Sequence, residues 1–179
     1  SLEDLQDTAA SPAEYFELKV DRKNTAKILA YTGDEEVVVV PGMIGGHPIT
    51  SIEKGCFKEN EYVREIYIND SIAAINGDVF KDCRNLEKVH ISNAVTKFTA
   101  SAFAGCTALG EVNIPDAMTE VPRGLFKDSP LTTVHIGKGV KKVLDSETFN
   151  FDVTVDAEGE TMNFVGTIEF NPEEYVLNM

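Results

Sequence analysis

Phe57, Phe80, Phe103, Phe126 and Phe149 stand 23 residues apart. A constant interval of this length restricts the chain to a solenoid, because each coil is one supersecondary unit that cannot bury its own apolar edge. Successive coils must stack and share a continuous core. Five more apolar columns hold the same register. They run Ile49, Ile72, Val95, Met118, Val140; Ile52, Ile75, Phe98, Val121, Val143; Val63, Leu86, Leu109, Leu131; Ile66, Val89, Val112, Val134; and Ile68, Ile91, Ile114, Ile136. The residues between the columns vary freely. The register slips by one residue twice, with a deletion near Pro130 and an insertion near Leu144 that cancel, so the repeat is specific evidence for the fold.

Within each repeat the segment ending in V-x-I alternates apolar and polar residues and reads as a strand: residues 65–68, 88–91, 111–114 and 133–136. The stretch around each Phe, such as residues 100–105, is too short for a full helix and reads as a turn or single helical turn. The predicted fold is therefore a β-rich α/β solenoid with a parallel sheet. Ahead of the repeats, residues 15–20 and 27–31 are β-prone and suggest a hairpin. Val37 to Val40 is a run of four valines stopped by Pro41 and reads as a buried strand. After Phe149 the period fails, and residues 151–155, 156–160 and 162–170 read as strand, turn and strand. The expected organisation is a tether at 1–13, an N-terminal β cap at 14–48, four to five repeats at 49–149 and a C-terminal β cap at 150–179. The caps would keep the first and last coils from pairing through open edges.

The sequence from Val95 to Pro115, VTKFTASAFAGCTALGEVNIP, closely resembles the BspA-like leucine-rich repeat, V-xx-I-xxx-AF-xx-C-xx-L-xx-V-x-I-P. The run from Tyr31 through Val37 to Val40, Pro41, Gly46 and Ile52 looks like the entry segment before the first repeat of that family. Asn60 and Ser129 stand where the family has cysteine. The resemblance implies a right-handed leucine-rich-repeat superhelix. It also implies a secreted or surface-displayed bacterial protein serving in adhesion or interaction, extracellular or on the cell surface, with a host or neighbouring-cell surface protein or glycan as partner. The alternative is a structural spacer or subunit of a surface assembly.

Charge narrows the partner further. A net charge of −14 argues against nucleic acid and anionic membranes, both of which need clustered Lys and Arg. No stretch approaches the roughly 18 to 20 apolar residues of a membrane span. No signal peptide opens the chain, so an exported form would have lost its signal before Ser1. The three cysteines are read as buried reduced thiols. Stacking at about 4.8 Å would also bring Cys83 and Cys106 within disulfide range.

In a V-x-I strand the two apolar residues point inward, so the residue between them and the one two positions earlier point outward. The expected exposed ladder is Tyr67, His90, Asn113 and His135, flanked by Glu65, Lys88, Glu111 and Thr133. These eight are the candidate binding residues. An enzyme is not expected: His90 and His135 would lie about 9 to 10 Å apart with Asn113 between them, poor geometry for a relay or a shared metal. There is no G-x-S-x-G elbow. Gly42 to Gly46 lacks the spacing and context of a phosphate loop and reads as a turn into the first repeat, with His47 a surface residue. Asn150, Asp152, Asp156, Glu158 and Glu160 do not meet the calcium-loop pattern. No cofactor is expected.

Overall fold

The computed structural model describes residues 10–99, 101–122, 124–126, 129–140, 142–143, 153–157, 160–164, 167–171 and 174–178, with side chains through 140 except Thr133. The strands are β1 (Phe16–Val20), β2 (Ala26–Tyr31), β3 (Val37–Val40), β4 (Met43–Ile44), β5 (His47–Ile52), β6 (Glu65–Ile68), β7 (Ala74–Ile75) and β8 (Lys88–His90). They continue with β9 (Glu111–Ile114), β10 (Glu120–Val121), β11 (Thr133–Ile136), β12 (Lys142–Val143), β13 (Val153–Ala157), β14 (Glu160–Phe164), β15 (Thr167–Asn171) and β16 (Glu174–Asn178). Among the described residues the helical content is the 3-10 turn Ala13–Tyr15, so the fold is a β-solenoid.

Each coil makes three sides. The V-x-I segments form the main sheet, ordered β14-β13-β11-β9-β8-β6-β3 and parallel from β3 to β13. A second, lateral side carries the short strands around Ile52, Ile75 and Val121, with β5 paired to β7 and β10 to β12. The third side is the turn around each Phe. There the Phe57 amide donates to the Val79 carbonyl (3.0 Å), Glu59 to Lys81 (2.9 Å) and Phe80 to Ala102 (3.1 Å), so each turn is stitched to the next.

The core lies between these sides. Phe57, Phe80, Phe103 and Phe126 are buried and aligned, with successive ring centroids 5.8, 5.3 and 5.3 Å apart. Phe149 lies outside the described residues. The row extends in the other direction through Tyr31, 5.2 Å from Phe57, and Tyr15, 6.0 Å from Tyr31. Cys83 and Cys106 are thiols that donate to the carbonyls of Phe57 (2.9 Å) and Phe80 (3.1 Å) in the preceding coil, and Cys56 is also free. Desolvation pushes the Cys83 thiol up to about 12 from 9.0.

The predicted hairpin is present as β1 and β2, paired antiparallel. The Gly42 to Gly46 stretch turns β4 back on β5, with Gly45 and Gly46 at φ 58° and 82°, where glycine carries no steric penalty. The four valines depart from expectation. They form the first rung of the main sheet, in register with β6, and are buried only on the core side, with Val37 42% exposed. A strand in a one-sided sheet has an outer face whatever its composition. The free edge of β3 is covered at Val39, whose carbonyl accepts from the Ser11 amide (3.1 Å) and whose amide donates to Ser11 Oγ (2.9 Å). This is the edge protection that a terminal strand requires.

Candidate functional site

Parallel register places the outward residues in two rows across the main sheet. By backbone register one runs Val37, Glu65, Lys88, Glu111 and position 133; the other contains Val39, Tyr67, His90 and, further on, Asn113 and His135. All eight candidate residues therefore lie on one face, because the strand period of two sends alternate side chains to opposite sides. The Thr133 side chain lies outside what the structure describes, as do Asn150, Asp152 and Glu158.

The rows are cross-linked. Glu111 is held on both sides, by Lys88 Nζ at 3.5 Å from Oε2 and by His135 Nε2 at 2.8 Å from Oε1. His90 Nε2 lies 3.2 Å from Asp70 Oδ1. On the strand-entry side, Arg64 and Glu87 pair at 2.8 Å. Exposed pairs like these contribute little to stability, at most about 1 kcal/mol each, but they fix the direction of long side chains.

Two of the expected ladder residues are less open than the alternation implies. Tyr67 faces away from the core, yet is only 5% exposed, flanked by the rungs of Val39 and His90, and its hydroxyl donates to Glu65 Oε2 at 2.8 Å. A large ring on a strand spacing of about 4.8 Å is covered by its neighbours even on the outer side. That burial, reinforced by the Glu65 hydrogen bond and charge and by Glu111, holds the phenol well above its ordinary pKa. Asn113 is committed to backbone. Its Oδ1 accepts from the Ile91 amide (2.5 Å) and its Nδ2 donates to the Ile91 carbonyl (2.8 Å), which ends β8 at His90.

A third polar column was missed by the sequence reading. Asp70 Oδ1 accepts from the Asn93 amide (3.0 Å), Asn93 Oδ1 from Asp116 (3.4 Å) and Asp116 Oδ1 from Lys138 (2.9 Å). Asp70, Asn93 and Asp116 share the 23-residue stride, so the signal was present in the polar residues as well as the apolar ones. His47 sits at the start of β5 with Nδ1 3.1 Å from the Asn24 carbonyl, away from the main sheet. Among the described residues, no group of three or more His, Cys, Asp or Glu side chains is placed to hold a metal ion. No helix among them is long and apolar enough to cross a membrane.

A parallel sheet built from 23-residue coils around an aligned aromatic row defines a leucine-rich-repeat protein. The profile of the BspA type Leucine rich repeat region matches residues 44–153 in 6 copies, more than half of the chain, and the protein belongs to that family. Among solved structures the chain is similar to the leucine-rich-repeat protein TpLRR of T. pallidum, with 19% identity, TM-score 0.66, and coverage of 84% of this chain and 65% of that one. It is also similar to a leucine-rich-repeat protein of Bacteroides ovatus, with 22% identity, TM-score 0.64, and coverage of 80% and 38%. A third, from Bacteroides capillosus, is 23% identical with TM-score 0.60 over 68% of this chain and 94% of that one. The chain thus spans 65% and 38% of the length of the first two. At these identities the likeness concerns the fold. None of the curated proteins matches the sequence.

Proposed function

We propose that this protein is a non-catalytic binding module of the bacterial surface or exterior, engaging a host or neighbouring-cell protein or glycan through the outer face of its main sheet. The observation that carries this reading is the row Lys88, Glu111 and His135, in which the Glu111 carboxylate is held by Lys88 Nζ on one side and by His135 Nε2 on the other. Binding costs side-chain ordering, about 0.5 to 1.5 kcal/mol for each long side chain immobilised, and here much of that ordering precedes contact. Tyr67 and Asn113 brace the face through their bonds to Glu65 and to Ile91, while Lys88, Glu111, His135 and the Arg64 and Glu87 pair meet the partner. The division into a leader at 1–13, closing segments at 14–48 and 150–179 and a repeat body between them belongs to the same proposal.

The test is a glycan array together with a panel of purified secreted and surface proteins, with hits measured by surface plasmon resonance. Glu111→Lys is expected to weaken a true partner at least about tenfold, a loss of about 1.4 kcal/mol, while the loss of two exposed pairs and the new lysine opposite Lys88 lower the melting temperature by no more than about 8 °C and leave the fold intact by circular dichroism. A partner that binds Glu111→Lys and Lys88→Ala as tightly as the native protein places the site on another surface.

A further inference from the structure

β1 ends its sheet, paired with β2 on one side and with no strand on the other among the described residues. The Tyr15 carbonyl accepts from the Thr32 amide (2.7 Å) and the Asp21 amide donates to the Thr25 carbonyl (2.9 Å), so the backbone groups of residues 15, 17, 19 and 21 face β2. Those of Phe16, Leu18 and Val20 face outward, because successive residues of an antiparallel strand send their amides and carbonyls to opposite sides. The Phe16 amide is taken up by the Ala13 carbonyl. The register shift of the hairpin falls on Leu29 of β2, so β1 itself is regular and can pair again. The edge of β3 is plugged by Ser11 on Val39; β1 has no such plug among the described residues.

β1 also carries charges that its own chain does not match. Glu17 and Lys19 are exposed on one side of the strand and form no ion pair among the described residues. Across the hairpin Glu17 stands opposite Ala30 and Lys19 opposite Lys27, a like-charge pair that weakens a ladder. The flanks continue the polarity. Glu14 precedes the strand and Arg22 and Lys23 follow it, while Asp21 is engaged by Thr25 within the turn.

We propose that β1 pairs with β1 of a second copy of this chain, antiparallel and centred on Leu18. In that register Leu18 exchanges both backbone bonds with Leu18 of the second copy, and the Val20 amide donates to the Phe16 carbonyl of the second copy. Glu17 of each copy stands opposite Lys19 of the other, and Glu14 falls opposite Arg22 further out, so the edge is complementary to itself about a two-fold axis. A parallel pairing sets like charges side by side. Val20, 47% exposed in the single chain, packs beside Phe16 of the second copy. Copies of net charge −14 repel one another at long range, and a local match of this kind selects the one orientation in which they meet. The contact lies on the strands ahead of the repeats and is independent of the binding role of the main sheet.

A strand of five residues covers less than the roughly 1,200 Å² of a standard interface, so the dimer is expected to be weak, with Kd on the order of 10 to 100 μM. Analytical ultracentrifugation of the full chain at low salt, from about 5 μM to about 1 mM, reads it directly. Glu17→Lys and Lys19→Glu, both at exposed positions, are each expected to weaken the dimer at least about tenfold with unchanged circular dichroism. An equimolar mixture of the two variants is expected to restore it, because each Glu17→Lys chain then meets opposite charge on a Lys19→Glu chain at both pairs. A native chain that sediments as a monomer at about 1 mM overturns the proposal. So does a dimer that survives in both variants, or a mixture that stays monomeric. Amide exchange of the native chain needs no variant: Leu18 and Val20 are expected to slow at least about threefold between about 10 μM and about 1 mM, and unchanged rates there overturn the pairing.

Discussion

Replacing Phe80 with alanine removes the middle of the aromatic row, and the size of the effect follows from its surroundings. Phe80 is 0% exposed and lies between Phe57 and Phe103 at 5.8 and 5.3 Å, with interplanar angles of 24° and 21°. Truncating a buried Phe costs about 3 to 5 kcal/mol. Of this, two ring pairs at about 0.5 to 1.5 kcal/mol each supply about 1 to 3 kcal/mol. Because the row joins three coils, the loss weakens two interfaces at once. Against a typical total of about 5 to 15 kcal/mol the variant keeps a folded population only if the native chain is well above the lower end. With a urea dependence of about 2 kcal/mol per molar, the midpoint is expected to fall by about 1.5 to 2.5 M. The assay is equilibrium urea unfolding followed by far-UV circular dichroism. Tyr62→Ala is the control, an aromatic that is 57% exposed and whose loss is expected to cost about 0.5 kcal/mol or less. A Phe80→Ala midpoint within about 0.5 M of native would refute the stacked row as the source of cohesion.

Further outcomes are expected for two glycines, the buried thiols and Glu53. Gly137→Ala places a Cβ 2.5 Å from the Asp116 amide nitrogen and the Ile114 carbonyl oxygen, both backbone atoms, and should lower Tm by about 3 to 10 °C. Gly110→Ala, whose nearest atoms lie at 3.9 Å, should leave Tm within about 2 °C in the same thermal melt. The three buried thiols should resist iodoacetamide at pH 8 in the native protein and react fully in urea, read by intact mass. Cys83 titrates at about 12 when folded against 9.0 otherwise, so the stability tied to its protonation is complete below pH 9 and declines as pH rises toward 12. Cys83→Ala should therefore flatten the fall in urea midpoint between pH 8.5 and 10.5. Glu53 is held below its ordinary value of 4.5 chiefly by the Asn76 hydrogen bond, which outweighs the opposing effect of burial, with Ser51 and Lys27 adding to it. Its contribution is present above pH 4.5 and lost on acidification, so Asn76→Ala should reduce the drop in Tm between pH 6 and pH 3.

The coil was legible because it is written in apolar residues at a constant stride, and side chains such as Val89, Val112 and Val134 have nowhere to go but a shared interior. Tyr31 was hidden because it joins the aromatic row 26 residues before Phe57, off the stride, from a strand of different geometry. The valines of β3 were legible as a strand but not as a half-exposed one, since composition does not say whether a second layer covers the outer face. Direction along the ladder was readable from the period of two; availability was not. Tyr67 and Asn113 point outward as the alternation requires, and both are withdrawn by contacts to a carboxylate and to a backbone that no spacing rule specifies.

The side-chain spine of Asp70, Asn93 and Asp116, each carboxylate or amide closing on the main chain one coil ahead, constrains how such a protein can change in length. A residue inserted within a strand that leads into one of these anchors would move the next acceptor off its donor, whereas the one-residue slip near Pro130, in a connecting segment, leaves Asp116 on the Lys138 amide 22 residues ahead instead of 23. A duplicated block of one full stride returns each to a new partner of the same kind. Growth and shrinkage in whole coils are thus the tolerated moves, and the number of rungs on display is the variable that a lineage can adjust without redesigning any of them.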